Sequence, residues 1–193
     1  ITNKINAPIK ANIHNRFDVE VVDADTGRIK QKAYAENIIL NSLWAQIGTA
    51  YFSYIHYGSG SGTATATRTN LFTYLGGTSA SGATTVVDFT TGVFSVKKMI
   101  QLSETTAVGS SLTEVGVAYS TSSSSLVTHA MLKDMNGNQI SIAKTNTDII
   151  NIYATIFVHF NPDGYANGSI KFVATDLLNI IAGGAAFASV SAE

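Results

Sequence analysis

Hydrophobic and polar residues alternate most regularly between Asp148 and Phe160, in the run DIINIYATIFVHF. Successive residues of a β-strand point to opposite faces, so this run predicts one strand with an apolar and a mostly polar face. The apolar face consists of Ile150, Ile152, Ala154, Ile156, Val158 and Phe160. The other face carries Asn151, Tyr153, Thr155 and His159, with Phe157 as its apolar exception. At about 3.3 Å per residue the strand would be roughly 40 Å long, which favours a sandwich that stacks against copies of itself.

Turn signals divide the block of residues 112–160 into consecutive strands. They are the polar run Ser120–Ser125, the pair Asn136-Gly137 and the triplet Thr145-Asn146-Thr147. An Asn-Gly pair between apolar runs is the strongest short hairpin signal, because both central residues of the turn must accept a positive φ. We therefore expect several strands here, with no catalytic residues between them.

A hairpin and a helix are predicted in the first third of the chain. Phe17–Val21 alternates, residues 23–27 form a turn, and Arg28–Ala35 is the returning strand. The next apolar residues have helical spacing, at Leu40, Leu43, Trp44 and Ile47. They predict an amphipathic helix over about residues 37–48, with Asn37 as its N-cap, Gly48 past its end and Trp44 as a core anchor.

The rest of the chain shows weaker signals. They predict a strand at Tyr51–Tyr57, a flexible loop at Gly58–Thr69, one helical turn at Asn70–Leu75, a Gly/Ser-rich stretch at Gly76–Ala83, paired strands at Val86–Phe89 and Val93–Leu102, a last strand at Ile170–Ala174 and a short helix after Thr175 that stops at Gly183-Gly184.

These elements favour a mainly β chain, an antiparallel β-sandwich with one amphipathic helix and a short C-terminal helix. We expect a single domain over residues 17–182. We expect an extended N-terminal arm over residues 1–16, which carries Lys4, Lys10 and Arg16. We also expect a C-terminal arm over residues 183–193, which contains Phe187.

The order of segments resembles a recurring type of structural protein from tailed-bacteriophage virions. The similar segments are TEVGVAY, a short polar loop, LVTHAML, NGN, ISIAKTNTD and a long final strand, preceded by TGRIKQKAYAENIILNSLWAQIG and IHYGSGSGTATATRTNLFTYLG. Together they cover most of residues 17–160.

The resemblance implies a non-enzymatic virion component that assembles as a homo-oligomeric ring, collar, baseplate or decoration layer. Its partners would be copies of itself and other virion proteins, and its location the virion. Glu114 matches the EVG of the pattern, where a structural or interface role is implied. The assembly contacts expected on this basis are Lys4, Lys10, Arg16, Gly58, Gly60, Gly62, Glu114 and Phe187.

Composition agrees with a subunit that associates. Charged residues make up only 13% of the 193 residues and the net charge is −1, so there is little repulsion between copies and no electrostatic footprint for nucleic acid. The absence of cysteine excludes disulfides and thiolate metal sites. No apolar run approaches the roughly 20 residues of a membrane span, and no leader is visible, so we expect no membrane partner and no signal peptide.

Two loops superficially resemble ligand loops. The GSGSG run at Gly58–Gly62 lacks the Gly-Lys-Ser/Thr ending of a phosphate loop and the G-x-G-x-x-G spacing of a dinucleotide loop, which favours a mobile contact loop. The turn at residues 23–27 resembles the start of a calcium loop, but its twelfth position is Tyr34 where an EF-hand needs Glu. We predict no cofactor at either loop.

The sequence favours a binding role over catalysis. No serine-nucleophile elbow is present, and the four histidines share no ligand spacing; His129 and His159 would form a two-histidine site if they were cross-strand neighbours. We therefore expect neither an enzyme nor a small-molecule substrate. The alternative is a receptor- or carbohydrate-binding module, with Tyr51, Tyr54, Tyr57 and His56 as an aromatic platform.

Overall fold

The computed structural model describes residues 11–46, 50–88 and 91–160. Its elements are, in chain order, β1 (Ala11–Asp23), β2 (Ile29–Glu36), β3 (Ile38–Ile39), α1 (Asn41–Gln46), β4 (Tyr54–Gly58), β5 (Tyr74–Ser79), β6 (Ser81–Asp88), β7 (Val93–Leu102), β8 (Ser111–Leu112), β9 (Glu114–Ala118), β10 (Thr128–Met131), β11 (Ile142–Ala143) and β12 (Asp148–Phe160). The predicted C-terminal strand, helix and arm lie outside the described residues.

The chain is mainly β and its strands pair antiparallel in two five-stranded sheets. The long sheet has the order β2-β1-β12-β7-β6, and the short sheet the order β3-β10-β9-β4-β5. A two-stranded ribbon of β11 and β8 completes the pairing. Ala80 alone separates β5 in the short sheet from β6 in the long sheet, so the chain changes sheets there within one residue.

The longest pairing in the long sheet joins β1 to its central strand, β12. Its register runs from Ala11 opposite Phe160 to Asp23 opposite Asp148, with no shift over 13 residues. The predicted alternation of β12 is confirmed: Ile150, Ile152, Ala154, Ile156 and Val158 are all buried. Because apolar residues of both sheets belong to one buried cluster, the inward faces of the two sheets share a single core.

The predicted turns are confirmed by their hydrogen bonds. Asp23 Oδ1 accepts from the Thr26 backbone N–H at 2.9 Å, and Gly27 has a φ of 69°. Asp134 Oδ1 accepts from the backbone N–H groups of Asn136 and Asn138, each at 2.9 Å. Both turns need a residue that tolerates left-handed backbone, which is why glycine stands in them.

The prediction of an extended N-terminal arm was wrong for residues 11–16. β1 begins at Ala11, so residues 11–16 belong to the long sheet, where Ile13 and Asn15 are buried. Pairing along β12 outweighed the lack of a clear apolar period in this segment. Lys4 and Lys10 lie outside the described residues.

The helix prediction was wrong in its extent and its anchor. Residues 38–39 form a strand opposite β10, and the described helix covers only Asn41–Gln46. Asn37 is no N-cap, since its Oδ1 accepts the backbone N–H of Asn15 at 3.0 Å. Leu40 and Leu43 are buried, whereas Trp44 is 56% exposed. A helix of six residues buries only a narrow stripe, and Leu43 is its buried residue.

One other local prediction was wrong, and the Gly/Ser-rich stretch that follows it forms strands. Asn70–Leu75 makes no helical turn, because Tyr74 begins β5 and the preceding backbone N–H groups bond elsewhere. Residues 76–83 belong largely to strands β5 and β6. Gly76 and Gly77 fit there because the rings of Tyr57 and His56 lie against them, where a Cβ would collide.

Candidate functional site

The most elaborate polar site in the described residues surrounds the Glu114 carboxylate, at the start of β9 in the short sheet. Glu114 is fully buried and lies opposite Gly58 of β4 and Met131 of β10. Its Oε1 accepts the backbone N–H groups of Gly60 and Thr73, each at 2.8 Å. We call the carboxylate and its partners the Glu114 clip, which consists of Glu114, Gly60, Phe72, Thr73 and His129.

The second carboxylate oxygen completes the Glu114 clip. Oε2 accepts the backbone N–H of Phe72 at 2.8 Å and lies 2.8 Å from Nε2 of His129. Burial alone would raise the pKa of the Glu114 carboxyl, but His129 and the three backbone N–H groups together hold that pKa below its ordinary value. An ionised carboxylate only accepts hydrogen bonds, so His129 Nε2 carries the donated proton.

The glycine loop is anchored by this carboxylate. A Cβ on Gly60 would lie 2.6 Å from Glu114 Oε1 and 2.7 Å from the Thr73 backbone N. Gly58 is equally confined, because a Cβ there would lie 2.7 Å from the same carboxylate oxygen. The prediction of a mobile loop was therefore wrong for these two positions, both of which are buried. Only glycine lets the backbone approach the carboxylate so closely.

An aromatic side chain covers the site from outside. The Phe72 ring lies against the His129 ring with centroids 5.1 Å apart, and the Arg68 guanidinium carbon lies 3.8 Å above the Phe72 ring. His129 is fully buried, like its partner carboxylate. Both members of the acid–imidazole pair are buried, and the carboxylate ties the glycine loop to the short sheet.

A second buried charge ties the start of β12 to the edge of the long sheet. Asp148 Oδ1 is 2.6 Å from Lys30 Nζ of β2, and Oδ2 accepts the backbone N–H of Thr145 at 2.9 Å. Burial opposes ionisation of Asp148, yet these partners lower its pKa to about 2. Lys144, also buried, donates from Nζ to the backbone oxygens of Thr145 and Glu104. These contacts hold the predicted turn at residues 145–147.

The structure separates the expected assembly residues. Arg16 is exposed on the long sheet and pairs with Asp18 at 2.9 Å. Gly62 is exposed, so its contact role stays a prediction, as does that of Arg16. The predicted assembly contact at Glu114 is corrected, because this carboxylate is fully buried and bonded to donors of its own chain, so a neighbouring subunit cannot reach it. Phe187, like Lys4 and Lys10, lies outside the described residues.

The predictions of a His129–His159 pair and of an aromatic platform are also corrected by the structure. His129 belongs to the short sheet and His159 to the long sheet, so they are not cross-strand neighbours; His159 instead stacks on His14, with centroids 4.9 Å apart. His56 is fully buried, with Nε2 2.8 Å from the Ser120 carbonyl oxygen, and Tyr57 is 7% exposed. Burial removes both from the predicted aromatic platform. Tyr51 remains 56% exposed.

The partner of Glu114 was missed by the sequence reasoning, although a signal existed. The polar run at residues 120–125 is centred between Glu114 and Met131, so a hairpin around it pairs these two positions. His129 is two residues from Met131 and therefore on the same side of the sheet as Glu114. Counting from the centre of the turn would have found the pair.

Within the described residues, no group of three or more His, Asp or Glu side chains is placed to hold a metal ion. No helix in that part of the chain is long and apolar enough to cross a bilayer. Comparison of the chain with protein-family models, with curated proteins and with solved structures finds no match.

Proposed function

We propose that the chain is a non-enzymatic structural component of a tailed-phage virion, a β-sandwich protomer that assembles with copies of itself. Two sheets with a common core support the sandwich. The order of motifs that resembles virion proteins supports the class, and the internal use of the buried carboxylates Glu114 and Asp148 is consistent with it. The observation that carries assembly is the difference between the two edges of the long sheet.

The β2 edge is protected. Lys30 and Lys32 place charge along it, and charged edge strands resist pairing with another chain. Near its other end Tyr34 exchanges backbone hydrogen bonds with Lys133, at 3.0 and 2.8 Å. The loop that carries Lys133 therefore already occupies part of this edge.

Within the described residues, the β6 edge has none of these protections along most of its length. Residues 81–87 (SGATTVV) contain no charge and no proline. In the described part of the chain β6 pairs with β7 on one side only, and Val86 is 58% exposed. β-branched residues on an open edge favour the addition of another strand. A bulge between Ser81 and Thr84 restricts the open stretch to the second half of β6.

We infer that the occupant is an extended segment of a neighbouring copy. Main-chain hydrogen bonds would supply the affinity, as in β-strand addition. If each copy offers this edge to a different segment of the next, the contact is heterologous, and it gives a ring when the rotation between copies closes and an open filament when it does not. If two β6 edges pair with each other, a two-fold dimer follows. The molar mass in solution distinguishes these arrangements.

The test places charge on the edge. We expect the wild-type chain to form a defined oligomer by light scattering, and Thr84→Lys/Val86→Lys to lower its mass, because lysines on an edge oppose pairing. Both positions are exposed, so circular dichroism should show an unchanged fold. Gln31→Lys, on the protected β2 edge, is the matched control and should keep the wild-type mass. A monomeric wild-type chain would contradict the proposal. So would an oligomer whose mass stays the same when the two lysines are introduced into β6.

A second candidate function, recognition of a receptor glycan, is favoured by a different feature. The outer face of the long sheet forms a groove in which Asp18 lies between Tyr34 and Tyr153 on the adjacent strands. Aromatic rings beside a carboxylate are suited to stacking on and hydrogen bonding to sugars. Glycan-array binding that Tyr153→Ala abolishes would support recognition, and an array without hits would leave assembly as the function.

A further inference from the structure

The groove on the outer face of the long sheet has the dimensions of a ligand site. Its volume is about 430 Å³, within the range of roughly 300–1,000 Å³ that is usual for such sites. Its floor follows β1 from Arg16 to Glu20, a length of about 13 Å at 3.3 Å per residue. Tyr34 and Tyr153 stand on the strands to either side of β1, and these two strands are roughly 10 Å apart. We call this space the outer groove.

Side chains of the outer groove lie in successive rows across the sheet. In one row Tyr34, Asp18 and Tyr153 are opposite one another on β2, β1 and β12. In the next row Arg16 of β1 and Lys97 of β7 stand on either side of β12. Because the two rows are two residues apart along each strand, they share one face of the sheet. Two cations therefore lie beside the two tyrosines.

Two ion pairs neutralise most of the charge in the outer groove. Arg16 donates to Asp18 Oδ1 from Nε at 3.0 Å and from Nη2 at 2.9 Å. Lys32 Nζ lies 3.0 Å from Glu20 Oε1. Since both donors of Arg16 meet the same oxygen, Oδ2 of Asp18 is left to accept a hydrogen bond from a ligand.

Lys97 is the cation that these pairs do not neutralise. Its exposed side chain places Nζ 4.5 Å from the centre of the Tyr153 ring, and Nζ makes no ion pair with a carboxylate of the described residues. A cation–π contact positions the ammonium but leaves its charge in place. The outer groove thus has three cations against two carboxylates, with the surplus charge beside an aromatic wall.

We propose that the outer groove binds an acidic oligosaccharide, a proposal that rests on the second candidate function, glycan recognition. The carboxylate of the sugar pairs with the Lys97 ammonium. A sugar hydroxyl donates to Oδ2 of Asp18, and a sugar ring lies in the space between Tyr34 and Tyr153. The length of the floor leaves room for a further sugar residue along β1.

Other ligands fit the outer groove less well. A neutral sugar leaves the Lys97 ammonium without a partner, and a small inorganic anion makes no use of the two tyrosine rings. An acidic peptide supplies a carboxylate but has fewer hydroxyl groups to offer Asp18. An acidic oligosaccharide meets all three features, because its rings, hydroxyls and carboxylate belong to one molecule.

The test is isothermal titration calorimetry of the full chain with trigalacturonate and with sialyllactose, each compared with its own methyl ester. The ester has nearly the same shape and lacks the charge. We expect the wild-type chain to bind at least one of the acids about three- to fivefold more tightly than its ester, as for a partly exposed ion pair. High salt should reduce this preference.

Two variants assign the preference to one side chain. Lys97→Met keeps the apolar stem, so it should abolish the preference for the acid and leave the affinity for the ester unchanged. Arg28→Met is the matched control, because it removes the same charge at an exposed position that does not line the outer groove. It should keep the wild-type preference.

Three results would overturn the proposal. Equal affinity of the wild-type chain for acid and ester, lost in Tyr153→Ala, would leave glycan recognition standing and remove the acidic preference. A preference that persists in Lys97→Met would remove the role of Lys97. No binding of any of the four sugars would overturn the proposal, and a glycan array without hits would then remove glycan recognition as well. None of these results bears on assembly, since the β6 lysine variants test that separately.

Discussion

Replacement of Glu114 by glutamine tests the Glu114 clip with little change of volume. The amide oxygen of the new side chain can still accept the N–H groups of Gly60 and Thr73. Its NH₂ group, however, faces two donors, the Phe72 N–H and Nε2 of His129. The variant thus exchanges two favourable contacts for two donor–donor contacts in a fully buried site.

The magnitude follows from the number of hydrogen bonds lost. A hydrogen bond to a charged group contributes about 1.5–3 kcal/mol, and a buried donor left without a partner costs a similar amount. His129 can recover one contact by moving its proton to Nδ1, which has no hydrogen-bond partner. We therefore expect Glu114→Gln to lower the free energy of unfolding by about 3 kcal/mol.

Urea denaturation followed by circular dichroism measures this loss. With a slope of about 2 kcal/mol per molar urea, the midpoint should fall by about 1.5 M. Amide hydrogen exchange adds a local measurement, since the Phe72 N–H, which loses its acceptor, should lose protection before the β1–β12 pair does. Glu104→Gln is the control, because Glu104 is exposed and its carboxylate acts on the neighbouring Lys144 only through charge. It should stay within about 0.5 kcal/mol of wild type. If the free energy of unfolding of Glu114→Gln were equally close to that of wild type, the stabilising role of the Glu114 clip would be refuted.

Three further predictions concern other parts of the fold. The pKa of Asp148 is lowered to about 2 from 3.8, so its contribution to stability is present above pH 4 and is lost as the pH falls toward 2; acid unfolding of Asp148→Asn should lack this component. Gly60→Ala should destabilise the chain by about 2–4 kcal/mol in urea, because its Cβ meets the carboxylate, whereas the exposed neighbour variant Ser61→Ala should not. Deletion of residues 1–16 should lower the melting temperature further than deletion of residues 1–10, because it also removes part of β1; equal melting temperatures would contradict the β1 boundary.

Strand patterning and turn chemistry were predictable from the sequence because both act between near neighbours. The face of β12 that packs inward follows from alternation over 13 residues. The turns at residues 23–27 and 136–137 follow from side chains that bond their own backbone, as Asp23 and Asp134 do. Such local signals established a mainly β, antiparallel chain before any contact was known.

Tertiary contacts decided the segments whose local signals were weak or contradictory. Residues 37–47 have helical spacing, yet hydrogen bonds to β10 make a strand of Ile38–Ile39, and Trp44 is left at the surface. The sequence of Gly58–Gly62 predicts a flexible linker. In the structure, the Glu114 carboxylate, more than fifty residues away, accepts the backbone N–H of Gly60 in this loop. Lys98 likewise falls on an inward face only because β7 pairs with β12 in one register. Periodicity describes a strand's own faces, but which face is buried and which carboxylate meets which backbone N–H depend on the packing of distant strands.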